Sequence, residues 1–341
     1  MTISSLWKAS LLSLDNYIAE LRLRAKREGG VLLSFLFHSL FETEKEVQSA
    51  LMDPQQGITV EMFRECVRHF HAFGYRFVSG DDVVRGLAPK GKYVLLTFDD
   101  GYYNNVRALP VLEEFGARAT FFISTGHVKK NRSFWWDVVQ REGKRHGVAE
   151  TETWRKCAEY KKRKTEDVER ELVKEFGEKA LQPVSDLDRP FSPSELRDFS
   201  KHPLVSLGNH TKDHAILSNY SEAEVREQIR EAQNDLFEMT GLEPTLIAYP
   251  NGNESTSIRR AAEKAGLRLG FGIRPGRNTL PLKIGAKNAR ALKRFMLWGD
   301  PSVEQQCIVS RSGLSLYRTF QNAKVTIARA GEGLLANSSS S

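Results

Sequence analysis

The segment Tyr93-Val94-Leu95-Leu96-Thr97-Phe98-Asp99-Asp100-Gly101-Tyr102 constrains this chain most, because an apolar run of strand length ends in two adjacent carboxylates. The run reads as a buried strand, and Asp-Gly ends it in a turn. Like charges held together away from water repel, so a site that keeps both acids commonly commits one to a cation and leaves the other to move protons. Far downstream, His210-Thr211-Lys212-Asp213-His214 sets two imidazoles four positions apart, on one side of a helical turn or a tight loop. Either motif alone is often only a turn or a surface pair. Each follows an apolar run, Tyr93 to Phe98 and Leu204 to Leu207, so together they point to an open metal site of Asp and two His.

Around these motifs apolar runs alternate with helical patterns. Strands are expected at Val31 to Phe37, Tyr75 to Val78, Tyr93 to Phe98 and Ala119 to Ile123, with helices at Val60 to Phe73 and Asn105 to Phe115. A charged, mostly helical stretch follows from about Ser133 to Ser200, with helices expected at Glu152 to Tyr160 and Thr165 to Phe176, and it reads as an insertion. The pattern resumes with strand Leu204 to Leu207 and helix Ser221 to Thr240, whose Ser221 and Glu224 form a capping box. Strand Thr245 to Tyr249, helix Ser255 to Ala265 and strand Leu269 to Gly272 complete it. Such alternation means an α/β fold with parallel strands and crossover helices.

The ends of the chain read differently. Leu11, Leu14, Ile18 and Leu21 recur at helical spacing before Arg22, Arg24, Lys26 and Arg27, so residues 1–30 are expected to form a basic amphipathic helix. Residues 1–28 of such a helix can touch a membrane peripherally or pack on protein. Lys8, Asp15, Glu20, Arg22 and Arg24 interrupt any signal-length apolar stretch, so a cytoplasmic protein is expected, with inner-membrane contact left open. Residues 301–341 are expected to add one or two helices and a disordered tail, Asn337 to Ser341.

Composition narrows the function classes. The net charge is +7, yet basic runs such as Lys161-Lys162-Arg163-Lys164 are followed at once by Glu166, Asp167, Glu169 and Glu171, which reads as a solvated helix face. No nucleic-acid signature accompanies it, so no nucleic-acid partner is expected. Three cysteines, Cys66, Cys157 and Cys307, fit neither a disulfide framework nor a thiolate metal site.

The pairing of Thr-Phe-Asp-Asp-Gly-Tyr with His-Thr-x-x-His resembles the polysaccharide deacetylase family, the NodB-homology carbohydrate esterases. Gly116-Ala117-Arg118-Ala119-Thr120-Phe121-Phe122 resembles the family's second strand, and Ile247-Ala248-Tyr249-Pro250-Asn251-Gly252 its third motif. The resemblance spans about Val31 to Asp300. It implies a distorted (β/α)7 barrel over 31–300 with a helical insertion at about 133–200, flanked by short helical N- and C-terminal extensions, with the site on the carboxyl face of the strands. It further implies that Asp100, His210 and His214 bind one divalent metal, usually Zn2+, and that Asp99 is the general base. The turn at Tyr249-Pro250-Asn251 resembles the segment that meets substrate, with the Asn251 N–H as oxyanion donor.

Two departures stand out. Many relatives carry Arg where this chain has Ala248, so the usual Asp–Arg pair is expected to be absent; a subgroup with Ala-Tyr-Pro at this place resembles the present sequence. No His follows His214, so the late general-acid His is missing as well. His38, at the end of the first expected strand, is then the candidate acid, while His69, His71, His127, His146 and His202 are weaker. Arg294 resembles a late-strand Arg that orients Asp99. Trp135, in Phe134-Trp135-Trp136-Asp137, either lines a sugar cleft or anchors the insertion, and anchoring is the commoner fate of large aromatics.

The expected function is metal-dependent removal of N-acetyl from an amino sugar, in a saccharide, glycolipid or nucleotide-linked precursor of a bacterial surface polysaccharide. An N-deformylase or small-amide deacetylase would share the chemistry, and a silent carbohydrate-binding barrel would explain Ala248 and the missing His. A non-haem iron oxygenase also uses two His and a carboxylate, but on a His-x-Asp or His-x-Glu pattern that this chain lacks.

Overall fold

The computed structural model describes residues 3–25, 28–284, 291–300 and 302–313. The chain divides into two compact units, Gly29–Val303 and a second made of Met1–Glu28 with Glu304–Ser341.

In the larger unit the strands are β1 (Val31–Phe37), β2 (Arg76–Phe77), β3 (Lys92–Phe98), β4 (Ala119–Ile123), β5 (Val205–Asn209), β6 (Leu246–Ala248), β7 (Leu269–Phe271), β8 (Asn278–Thr279) and β9 (Phe295–Met296). They form one sheet in the order β7-β6-β5-β4-β3-β1-β8, with β2 beside β3 and β9 beside β1. Every residue of β1 and all of β3 except Lys92 are buried, as expected of strands covered on both faces. The neighbours β1/β3, β3/β4, β4/β5, β5/β6 and β6/β7 are all parallel. The connecting helices include Val60–Ala72, Leu109–Phe115, Glu222–Thr240 and Thr256–Lys264.

The segment Leu292 to Met296 draws the two edges together. On one side Leu292 pairs with β7 beside Phe271, and on the other Phe295 and Met296 pair in parallel with Phe35 and Leu36 of β1. The sheet therefore curls into the expected distorted barrel, with the carboxyl ends of its strands on one face. Only two of these residues count as strand, which is why the apolar pattern did not announce β9.

The stretch between β4 and β5 is helical as expected, and it also holds helices Thr125–Lys130, Trp135–Arg145 and Pro193–Ser200. It has a core of its own, in which Trp135, Tyr160, Val168 and Leu172 pack with Phe41 and Tyr102. The expected helix from Asn105 begins as a 3-10 turn, Tyr103–Ala108, before Leu109–Phe115.

In the smaller unit the first helix runs Ile3–Ala25. Leu14, Tyr17 and Leu21 are exposed, whereas Asp15 and Ala19 are buried, so the apolar stripe read from spacing faces outward at those positions. No helix among the described residues is long and apolar enough to cross a membrane. Helix Val303–Ser312 starts the C-terminal extension, and Arg311 Nε donates to Glu28 Oε1 at 2.9 Å. The expected tail Asn337 to Ser341, and Lys26 and Arg27, lie outside the described residues.

Candidate metal centre

Two loops at the carboxyl ends of β3 and β5 build the centre. Asp99 N–H donates to the Phe37 carbonyl at 2.9 Å, which ties the acid pair to the end of β1. Asp100 then takes a left-handed backbone with φ 76°, and Gly101 follows at φ 90°. The His-Thr-x-x-His segment is the tight loop rather than a helical turn. Thr211 Oγ1 accepts from Ala215 N–H and Asn209 Oδ1 accepts from Thr211 N–H, both at 2.8 Å. Among the described residues, Gln55, Asp100, Thr211, His214 and Asn251 all hold positive φ without being glycine. Ala50 and Asn131 do so elsewhere, but Asp100, Thr211 and His214 place such strain, which persists only where the surroundings impose it, within the two ligand loops.

The three expected ligands meet. One ligand atom from each of Asp100, His210 and His214 lies within 4.8 Å of the others. Asp100 Oδ1 is 3.3 Å from Nε2 of His210 and 3.3 Å from Nε2 of His214, and it is a buried oxygen without a hydrogen-bond partner. His210 Nδ1 lies 2.8 Å from the Ala248 carbonyl, which can only accept, so the proton sits on Nδ1 and the Nε2 lone pair faces Asp100. An orphaned carboxylate oxygen converged on by imidazole nitrogens fits a divalent cation such as zinc.

Electrostatics follow from burial and pairing. Burial alone would push Asp100 up, but the facing imidazoles of His210 and His214 hold it well below the usual carboxylate range. The imidazoles part in direction: burial holds His214 below its ordinary value, whereas at His210 burial is outweighed by the charges of Asp99 and Asp100, which raise it.

Asp99 is not without an arginine. Arg294 Nη1 donates to Asp99 Oδ1 at 2.7 Å and Nη2 to Oδ2 at 2.8 Å, while Nε donates to the Gly272 carbonyl at 2.8 Å. The arginine missing at Ala248 is thus replaced by Arg294, the late-strand residue expected to orient Asp99, so the Asp–Arg pair is present after all, made across the seam between β7 and β1. Burial would raise Asp99, but the charge of Arg294, then that of His210, lowers it below the ordinary value.

His38 stands at the same rim, half-buried, with Nδ1 2.8 Å from Gln56 Oε1. Asn251 lies exposed in the turn Pro250–Gly252 with φ 56°, and its N–H has no protein partner among the described residues. The side chains of the residues expected near substrate in the third motif are buried, and Trp135 takes the anchoring role that large aromatics commonly have. Tyr249 is 3% exposed and packs with Ile247, Ile258 and Ala262 in the core, so only its backbone serves the turn, and Pro250 is likewise buried. Trp135 is 3% exposed with its ring against Trp136 and Tyr160, which makes it an anchor of the insertion. Its neighbour Trp136 in the same aromatic run sets its ring 4.6 Å from that of His214 and donates from Nε1 to Tyr102 at 2.9 Å. His127 is buried, stacked on Phe134 at 4.1 Å, with Nδ1 committed to the Arg132 carbonyl.

A cavity of about 550 Å3 lies between helices Glu222–Thr240 and Thr256–Lys264, and neither the ligands nor Asp99 lines it. The converging donors, not the hollow, mark the site.

Comparison with known proteins bears on the family and the fold. The family model described as polysaccharide deacetylase matches residues 86–270. YxkH of Bacillus subtilis (strain 168), a polysaccharide deacetylase by provisional description, is 23% identical over 219 residues, covering 63% of this chain and 58% of its own length. The chain thus matches somewhat over half of that relative. Among solved structures, Streptococcus pyogenes deacetylase PplD in complex with acetate superposes with TM-score 0.55 at 17% identity, over 82% of this chain and 98% of that one. IcaB from Ammonifex degensii gives TM-score 0.54 at 18% identity, over 83% and 98% respectively. At such identities the structural likeness speaks for the fold.

Proposed function

Because the chain belongs to the polysaccharide deacetylase family, we propose that it is a metal-dependent hydrolase that removes N-acetyl groups from an amino sugar. The observation that carries this reading is the convergence of Asp100, His210 and His214 beside an Asp99 gripped by Arg294. Asp100 and the two Nε2 atoms would hold the cation, most simply Zn2+. When bound, such a cation polarises a carbonyl and acidifies water.

The residues divide the remaining work. Asp99, kept ionised by Arg294, accepts the proton of the attacking water. The Arg294 fork fixes the carboxylate plane, so the acceptor lone pair is aimed before substrate arrives. The free Asn251 N–H donates to the oxyanion of the tetrahedral intermediate. His38 supplies the proton that the leaving amine needs as the C–N bond breaks. The exposed Leu14, Tyr17 and Leu21 support a peripheral membrane placement beside a lipid-linked sugar, and loss of liposome pelleting on Leu14→Glu with Leu21→Glu checks it.

The deciding experiment is a screen of N-acetylated amino sugars, free, nucleotide-linked and polyprenol-linked, for acetate release with and without chelator. Release from at least one class, abolished by chelator and restored by zinc, is expected. Purified protein that binds zinc yet releases acetate from none of them ends the proposal.

A further inference from the structure

The neighbour of His38 is a glutamine whose orientation the structure leaves no freedom to reverse. Gln56 is 6% exposed. Its Nε2 donates to two main-chain carbonyls, Leu36 at 2.7 Å and Leu297 at 3.0 Å. Carbonyl oxygens only accept, so the NH2 end of the amide must face them and Oε1 must face the imidazole. Oε1 lies 2.8 Å from His38 Nδ1 and also only accepts, so that nitrogen carries the proton. His38 Nε2 has no protein hydrogen bond among the described residues, and Phe37, the residue before His38, accepts from the Asp99 N–H at 2.9 Å, which sets the ring at the rim of the acid pair.

The loop that carries Gln56 is itself pinned. Asp53 N–H donates to Asp137 Oδ1 at 2.9 Å, Gly57 N–H to the Pro54 carbonyl at 2.7 Å, and Gly299 N–H to the Gln56 carbonyl at 2.9 Å. A Cβ on Gly299 would stand 2.8 Å from the Gly57 carbonyl oxygen, so this close approach requires glycine.

We propose that Gln56 is a positioning residue that holds the His38 ring with Nδ1–H inward and so dedicates Nε2 to proton transfer at the site. The inference rests on the reading of His38 as the acid of an amide hydrolysis. In that step the imidazolium N–H bond on Nε2 breaks and its electron pair returns to the ring. The departing nitrogen keeps the C–N pair and gains that proton, and the ring is left as the Nδ1–H tautomer. Gln56 Oε1 stabilises the form in which the ring is left, and it discourages loss of the wrong proton.

Long-range 15N–1H correlation spectra of histidine-labelled protein, with His38→Ala identifying the signal, read the tautomer directly. Neutral His38 is expected as Nδ1–H in the wild type and as a mixture or Nε2–H in Gln56→Met. In parallel, Gln56→Met is expected to lower kcat at least about tenfold with KM little changed, and to have no further effect in a His38→Ala background. An Nε2–H ring in the wild type overturns the proposal, as does an equal loss from Gln56→Met whether or not His38 is present. If no substrate is hydrolysed by the wild type, the functional reading fails while the spectra still decide the role of Gln56.

Discussion

Arg294 grips Asp99 from 195 residues further along the chain, with two parallel hydrogen bonds of 2.7 and 2.8 Å between side chains that are 0% and 4% exposed. The pair lies across the seam where the sheet closes, so barrel closure and orientation of the acid are one event. Thr97, two residues before Asp99, takes part as well: its Oγ1 donates to the Phe35 carbonyl at 2.7 Å and accepts from Arg294 Nη1 at 3.1 Å.

Removing one member of this pair is predicted to cost far more than a surface ion pair. Arg294→Met leaves a buried carboxylate without its partner, and a loss of about 3–5 kcal/mol in urea denaturation is expected. Arg294→Lys keeps the charge but not the fork, so it is expected to recover stability better than activity. Equal stability of wild type and Arg294→Met would contradict the assignment.

Asp99→Asn tests the acid pair from the other side. It keeps shape but can neither accept a proton nor carry charge, so kcat is expected to fall by about 10²–10⁴ while bound zinc stays stoichiometric. Loss of zinc together with activity would instead make Asp99 a ligand.

Much of this was legible in the sequence. β1 and β4 stand at the expected residues, and Asp100, His210 and His214 meet as the motifs implied, because long apolar runs and short-range spacing carry that information. What was not legible depends on distant pairing. β9 is two residues long, and the arginine missing at Ala248 is made good by Arg294 only through its resemblance to a late-strand Arg, since nothing in local spacing says that it will reach Asp99. Gln56 gave no signal, since Asp53-Pro54-Gln55-Gln56-Gly57 reads as a turn, and its role exists only through Leu36, Leu297 and His38. Tyr249 misled because a residue beside a motif can point its ring into the core.

A pH prediction comes from Asp137, fully buried beneath Trp136. Burial pushes its carboxyl well above the usual range, against the Tyr102 hydroxyl and the Asp53 N–H, which donate to it and pull the other way. With the folded value above the unfolded one, unfolding releases a proton. Its stabilising contribution is full below the unfolded carboxylate range, about pH 4, and is lost as pH rises toward the folded value. Asp137→Asn cannot lose a proton, so its stability relative to wild type is expected to improve steadily from pH 5 to pH 8 in denaturant melts. A flat difference across that range would show that Asp137 is already ionised in the fold.

The measurement that bears most directly on the account is zinc content after dialysis, by elemental analysis, for wild type and for Asp100→Ala, His210→Ala and His214→Ala. About one equivalent in the wild type and a small fraction of that in each variant is predicted, with circular dichroism showing that all four remain folded. A folded wild type that retains no zinc on loading, or variants that retain it fully, would contradict the claim that these three side chains share one cation.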